Sequence, residues 1–166
     1  PTSSTTAMLV MGDALAIALM KVRGFRAEDY AVFHPGGSLG RRLLTRVKDV
    51  MRKDALCVPK TMTLGDVIIA ISDARLGIAA VVEDGKLIGV ITDGDVRRAM
   101  AKYKERFFSI QAEEIMSRTP KTISPEARIT AAEEMMRVHK IHSIIVTDDN
   151  SAVVGVVEFF NVSVLG

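Results

Sequence analysis

Apolar residues recur along this 166-residue chain in two different rhythms. Near the start they form an almost unbroken run, "AMLVMGDALAIALM" at 7 to 20, closed by Gly24, which predicts one buried helix. Thr5 or Thr6 of the opening "PTSSTT" is placed to cap it by accepting a backbone N–H. With 14 residues and Asp13 inside it, the run is too short for a membrane span. A second short segment, "RAEDYAVF", breaks at "HPGGSLGRRLL", where His34, Pro35, Gly36, Gly37 and Gly40 read as a loop. Residues 1–46 therefore read as helical, with no sheet of their own.

From residue 47 the rhythm changes to short strands alternating with amphipathic helices, and it occurs twice. "VKDVM" (47–51) corresponds to "AEEIM" (112–116), Val58 to Ile123, "LGDVIIAISDA" to "ITAAEEMMRVH", and "GIAAVVED" to "HSIIVTDD", all at an offset of 65. One extra residue enters the second hairpin, so that Gly89 matches Gly155. Each copy reads strand, helix, strand, hairpin, strand, helix. Asp84-Gly85 within "VVEDGKLIGVI" is a strong two-residue turn signal. Thr63 with Asp66 forms a potential capping box ahead of the first copy's helix, and "AKYKERFFSIQ" at 101 to 111 is an amphipathic connection between the copies. This organisation is α/β (α+β).

Composition narrows the function classes. The 22 basic and 20 acidic residues are scattered, leaving no basic block to attract nucleic acid or an anionic membrane. A lone Cys57 excludes an internal disulfide framework and fits a reducing, cytoplasmic setting. A first residue of Pro rather than Met suggests a chain that begins partway along a protein.

The duplicated unit, each copy ending in Gly, two apolar residues and then a Thr-x-x-Asp position, resembles a pair of cystathionine β-synthase (CBS) domains, the Bateman module. The resemblance implies a tandem pair with pseudo-twofold symmetry, divided as 47–105 and 106–166. "PTSSTTAMLVMGDALAIALM" followed by "HPGGSLGRRLL" resembles the end of the sugar isomerase (SIS) domain of bacterial arabinose 5-phosphate isomerases, which makes 1–46 the C-terminal remnant of such a domain. Those enzymes interconvert ribulose 5-phosphate and arabinose 5-phosphate on the way to 3-deoxy-manno-octulosonate (Kdo), used in lipopolysaccharide and capsule. The resemblance implies a catalytic acid or base at His34, no cofactor, a sugar-phosphate substrate for the complete protein, and a homo-oligomer, a tetramer when complete. The 166-residue fragment itself is expected to be inactive.

Thr92 and Asp95 read, from spacing alone, either as a capping box or as a phosphate and ribose site at a helix N-terminus. The resemblance favours the second reading. It implies a nucleotide-binding set of Ala79, Ala80, Thr92, Asp93, Gly94, Asp95, Arg97 and His142. Pathway logic selects a cytidine ligand, CMP or CMP-Kdo, with an adenine nucleotide or an unliganded dimerisation module as the alternatives. In the second copy Glu158 replaces Thr92 and Asn161 replaces Asp95, which sets a carboxylate beside any phosphate and predicts a poor nucleotide site. Arg98 reads as a surface arginine or a phosphate ligand, like its neighbour Arg97. His139 and His142 have metal-ligand spacing, but a helix ending between them separates the rings, and no metal is expected.

Overall fold

Thr5 and Thr6 do not cap the first helix. The computed structural model describes residues 2–26, 29 and 43–159, and in it helix α1 already runs over Thr2–Val22. The hydroxyls of Thr5 and Thr6 each donate to the carbonyl of Thr2 at 2.9 Å, so they bond back along the helix from inside it. Gly24, at φ +62°, follows its end as expected. None of the residues of α1 is buried, contrary to the buried helix expected from its composition. Because the hydroxyl residues help extend it to 21 residues, with an 18-residue stretch of mean hydropathy 1.6, α1 is long and apolar enough to cross a membrane, which the 14-residue run is not. The chain divides into two units, 1–44 and 45–166.

The second unit opens with a short helix α2 (Val47–Val50) and then repeats one motif. The first copy comprises β1 (Cys57–Pro59), α3 (Leu64–Ala74), β2 (Ile78–Glu83), β3 (Lys86–Thr92) and α4 (Asp93–Tyr103). Two 3-10 turns, Lys104–Ser109 and Ala112–Glu114, lead to the second copy, β4 (Thr122–Ile123), α5 (Ile129–His139), β5 (Ser143–Thr147) and β6 (Val153–Glu158). Each copy makes a three-stranded sheet of the same order, with the first pair parallel and the second antiparallel. The parallel pair needs a crossover, and α3 or α5 supplies it. The hairpin closes at Asp84 (φ +49°) and Gly85 (φ +76°), both left-handed, as a two-residue turn between twisted strands requires. Thr63 caps α3, its hydroxyl accepting from Asp66 N at 3.3 Å and donating to the Asp66 carboxylate at 2.7 Å.

The two copies exchange their leading segments. Val47 lies in the second copy's core with Ile123, Ile129 and Ile144, and its N–H donates to the Ala127 carbonyl at 2.9 Å. Ala112 and Met116 lie in the first copy's core with Leu64, Val67 and Phe107. A third cluster, of Ile78, Ala80 and Val90 with Ile145 and Val156, joins the two sheets. Burying an Ile or Val side chain contributes roughly 1.5–3 kcal/mol, so this shared cluster favours the pair over separated copies.

At each exchange the crossing strand passes directly over a glycine. A Cβ on Gly89 would meet the Met116 sulfur at 2.7 Å and the Ser117 carbonyl at 2.9 Å, and one on Gly155 would meet the Arg52 carbonyl at 2.6 Å. The backbones pair there through reciprocal hydrogen bonds, Ser117 with Val90 and Arg52 with Val156. Glycine in these strands therefore answers a close approach.

Candidate functional site

Thr92 is the last residue of β3 and the N-cap of α4. Its extended backbone (φ −111°, ψ 165°) turns the hydroxyl toward the first helical turn, where it accepts from Asp95 N at 3.3 Å. The Asp95 carboxylate closes the box, with Oδ2 accepting from Thr92 N at 2.9 Å and from the Thr92 hydroxyl at 2.6 Å. Its other oxygen, Oδ1, accepts from Arg98 Nη2 at 2.6 Å. Arg98 stands one helical turn beyond Asp95, and Gly94 leaves room for it, since a Cβ there would meet Arg98 Nη1 at 3.3 Å.

This helix start opens onto a cleft of about 1000 Å³ shared by both copies. The first copy lines it with Arg75 to Ile78, Val90, and Thr92 to Asp95 with Arg97 and Arg98. The second lines it with Ser117, Thr119 to Lys121, His139 to Ser143, Glu158 and Phe159. Five Lys or Arg side chains and two histidines thus face three carboxylates, a balance that favours an anion. The positive end of the α4 dipole points the same way, although the Asp93 N–H donates to the Gly77 carbonyl at 3.2 Å and that of Asp95 to the Thr92 hydroxyl at 3.3 Å.

Of the residues singled out from the sequence, Thr92, Asp93, Gly94, Asp95, Arg97 and His142 all line this cleft. Asp93 packs against Gly77, where a Cβ would meet its Oδ2 at 3.2 Å. His142 stands before β5 with its ring edge-on to Phe159, centroids 6.4 Å apart. His139 ends α5, and left-handed Lys140 (φ 53°) turns the chain between the two histidines. Ala79 and Ala80 depart from the expectation. Both are 0% exposed and neither lines the cleft, because Ala79 packs into the first copy's core and Ala80 into the cluster between the sheets. His34 and Asn161 lie outside the described residues.

Sequence reasoning missed Ser117, Thr119 and Lys121, which reach the first copy only because the leading segments are exchanged. It also ranked Arg97 above Arg98, although a three-residue spacing from Asp95 was the available signal for Arg98. On the other side of the pseudo-twofold axis the residues matching Ser117 and Thr119 are Arg52 and Asp54. There Arg52 Nη2 lies 2.6 Å from Asp54 Oδ2, and Arg52 Nη1 lies 3.6 Å from Glu158 Oε2. Hydrogen bonding to Arg52 holds the Asp54 carboxyl below the usual carboxylate range, and that to Asp54 raises the guanidinium further.

The CBS domain family model matches residues 47–102 and 112–162. A probable arabinose 5-phosphate isomerase of Haemophilus influenzae is 43% identical over 159 residues, covering 96% of this chain and 47% of that protein. Arabinose 5-phosphate isomerase KpsF of Escherichia coli is 43% identical over 162 residues, covering 97% of this chain and 49% of that protein. The chain spans about half the length of these curated relatives. Among solved structures, the CBS domain pair of protein MJ0100, in complex with 5′-methylthioadenosine and S-adenosyl-L-methionine, superposes with a TM-score of 0.65 at 27% identity, covering 73% of this chain and 94% of that one.

Proposed function

This chain belongs to the CBS domain family, and on that premise we propose that its cleft binds a phosphate-bearing nucleotide and regulates an arabinose 5-phosphate isomerase. The observation that carries the reading is the Thr92–Asp95 box, which presents a helix N-terminus to a cleft with more cations than carboxylates. A ligand phosphate at this N-terminus meets the positive end of the α4 dipole and draws Arg98 away from Asp95. Asp95 Oδ1 is then free to accept from the ribose hydroxyls. Lys121 and His142 stand across the cleft from this point, on the second copy.

The isomerase assignment follows the relatives' names and belongs to the complete protein, in which ribulose 5-phosphate and arabinose 5-phosphate interconvert. His34 is the acid or base we assign to that proton shift, and its replacement by Ala in the complete enzyme lowers turnover by about two to four orders of magnitude. The same reading makes the complete protein a cytoplasmic homo-oligomer. A cytidine ligand, CMP or CMP-Kdo, suits end-product control of an early step. The second reading is an adenine nucleotide, favoured by the adenosyl ligands of the MJ0100 pair.

Calorimetry with CMP and AMP on the 166-residue chain decides between them. The regulatory role is tested by conversion of arabinose 5-phosphate with and without CMP-Kdo, in the complete enzyme and in one lacking residues 47–166. Turnover should respond only in the first, since a ligand shifts an equilibrium only through the domain it contacts. Unchanged turnover with confirmed binding rejects regulation.

A further inference from the structure

The duplicated fold places two sets of side chains in matching positions, and the two sets differ in charge. Beside β3 the crossing segment offers Ser117, Thr119 and Lys121, all lining the cleft with Thr92. Beside β6 the matching positions are Arg52, Asp54 and Leu56, next to Glu158, and none of these three lines it. The backbone register is the same on both sides, through the paired bridges of Ser117 with Val90 and Arg52 with Val156. The difference therefore lies in the side chains.

We infer that Arg52 is a built-in occupant of the second nucleotide position, a cation held by Asp54 and Glu158 where a ligand's phosphate would otherwise be bound. The inference rests on reading the first position as a nucleotide site. It revises the ground on which Glu158 was expected to exclude nucleotides. Glu158 is not a bare carboxylate repelling a phosphate, since its Oε2 faces Arg52 Nη1 at 3.6 Å. Arg52 is in turn committed on its other edge, where Nε and Nη2 meet the two oxygens of Asp54 at 3.1 and 2.6 Å. A phosphate entering here would have to break an existing pairing and would then face two carboxylates. On the first side the matching position is a serine, and the nearby cation, Arg98, paired with Asp95 Oδ1 at 2.6 Å, is 74% exposed. The chain therefore takes up one nucleotide, and the pair Arg52 and Glu158 determines which position does so.

The test is titration of the 15N-labelled chain with CMP, following amide signals of Gly94, Asp95 and Ser117 for the first position and of Arg52, Asp54 and Val156 for the second. In the natural chain the first set should shift and the second should not. In Arg52→Ser with Glu158→Thr both sets should shift, the second with an affinity at least about tenfold above its value in the natural chain. Should that variant unfold, Glu158→Gln keeps the shape and the backbone bridge while freeing one edge of Arg52, and its Arg52 signal should respond to CMP. A natural chain in which both sets saturate together, or folded variants in which the second set never moves, overturns the inference. If the natural chain shifts neither set but the variant gains the second, the blocking role stands and the reading of the first position falls.

Discussion

Replacing Asp95 separates the two jobs its carboxylate performs. Oδ2 caps α4 through Thr92, and Oδ1 is held by an arginine that a phosphate can draw away. Asp95→Ala removes the capping acceptor at a side chain only 18% exposed, which costs about 1 kcal/mol and lowers the melting temperature by about 4 °C. Asp95→Asn keeps an oxygen for the Thr92 N–H and should melt within about 2 °C of the natural chain. Ribose binding is affected differently, because a carboxylate accepts from both hydroxyls and an amide does not. At about 1.5–3 kcal/mol for hydrogen bonds to a charged acceptor, either variant should bind CMP roughly 10- to 150-fold more weakly. The deoxy ligand dCMP completes a cycle with the mutation. The natural chain should prefer CMP to dCMP, and that preference should vanish with Asp95. Calorimetry reads the four affinities. Variants that melt earlier but bind CMP as the natural chain does, with its preference over dCMP intact, would leave Asp95 as a helix cap alone.

Ile145→Ala deletes a side chain 1% exposed in the cluster joining the two sheets; it should cost about 2–5 kcal/mol in urea unfolding, and a loss below about 1 kcal/mol would mean the sheets do not depend on each other. Gly155→Ala must push back the Arg52 carbonyl, a backbone atom 2.6 Å from the new Cβ, whereas the nearest contact at Gly89 is the movable Met116 sulfur. Each should destabilise by about 1–3 kcal/mol, Gly155→Ala the more, and the reverse order in thermal melts would contradict the strand crossing described here. The Glu126 carboxyl is held below its usual range by Lys48 and then Arg46, at 2.8 and 2.7 Å. The stability this contributes is fully present above the ordinary carboxyl pKa of 4.5 and is lost as the pH falls from there through the lower folded value. Glu126→Gln should therefore flatten the acid side of the melting profile and leave its slope above neutrality alone; an unchanged acid limb would show that the ion pair adds nothing.

Much of this architecture can be read from the chain because it depends on local patterns. The Asp84-Gly85 turn and the Thr92–Asp95 box need only neighbours in sequence, the repeat at an offset of 65 needs only the chain set against itself, and all are present. What escapes reading depends on partners far along the chain. Ala79 and Ala80 entered the nucleotide set through the resemblance alone. In "IAAVV" they lie on a strand whose two faces are both covered by packed cores. A continuous apolar run, rather than an alternating one, is the sequence mark of such a strand. For α1, the apolar run identified the helix and the hydroxyl residues before it hid its true start, since Thr can serve as a cap or bond back within a turn.

The exchange of leading segments explains why the asymmetry of the two copies could be only half seen. Comparing Thr92 with Glu158 and Asp95 with Asn161 detects a change along the closing motif, and it suggests drift or repulsion. The structure adds that position 52 bridges to 156 just as 117 bridges to 90, and that Arg52 from there reaches Glu158, so the closing strand of one copy is completed by a residue of the other. A threonine at 158 would leave Arg52 with Asp54 alone, and a serine at 52 would leave Glu158 without its cation, beside the cleft at a side chain 25% exposed. Only the second change leaves a charge without the partner it has in the natural pair, since Arg52 keeps both bonds to Asp54 in the first. The two positions are coupled in this structure although 106 residues separate them, and the departure from the closing motif at Glu158 comes together with a cation at Arg52.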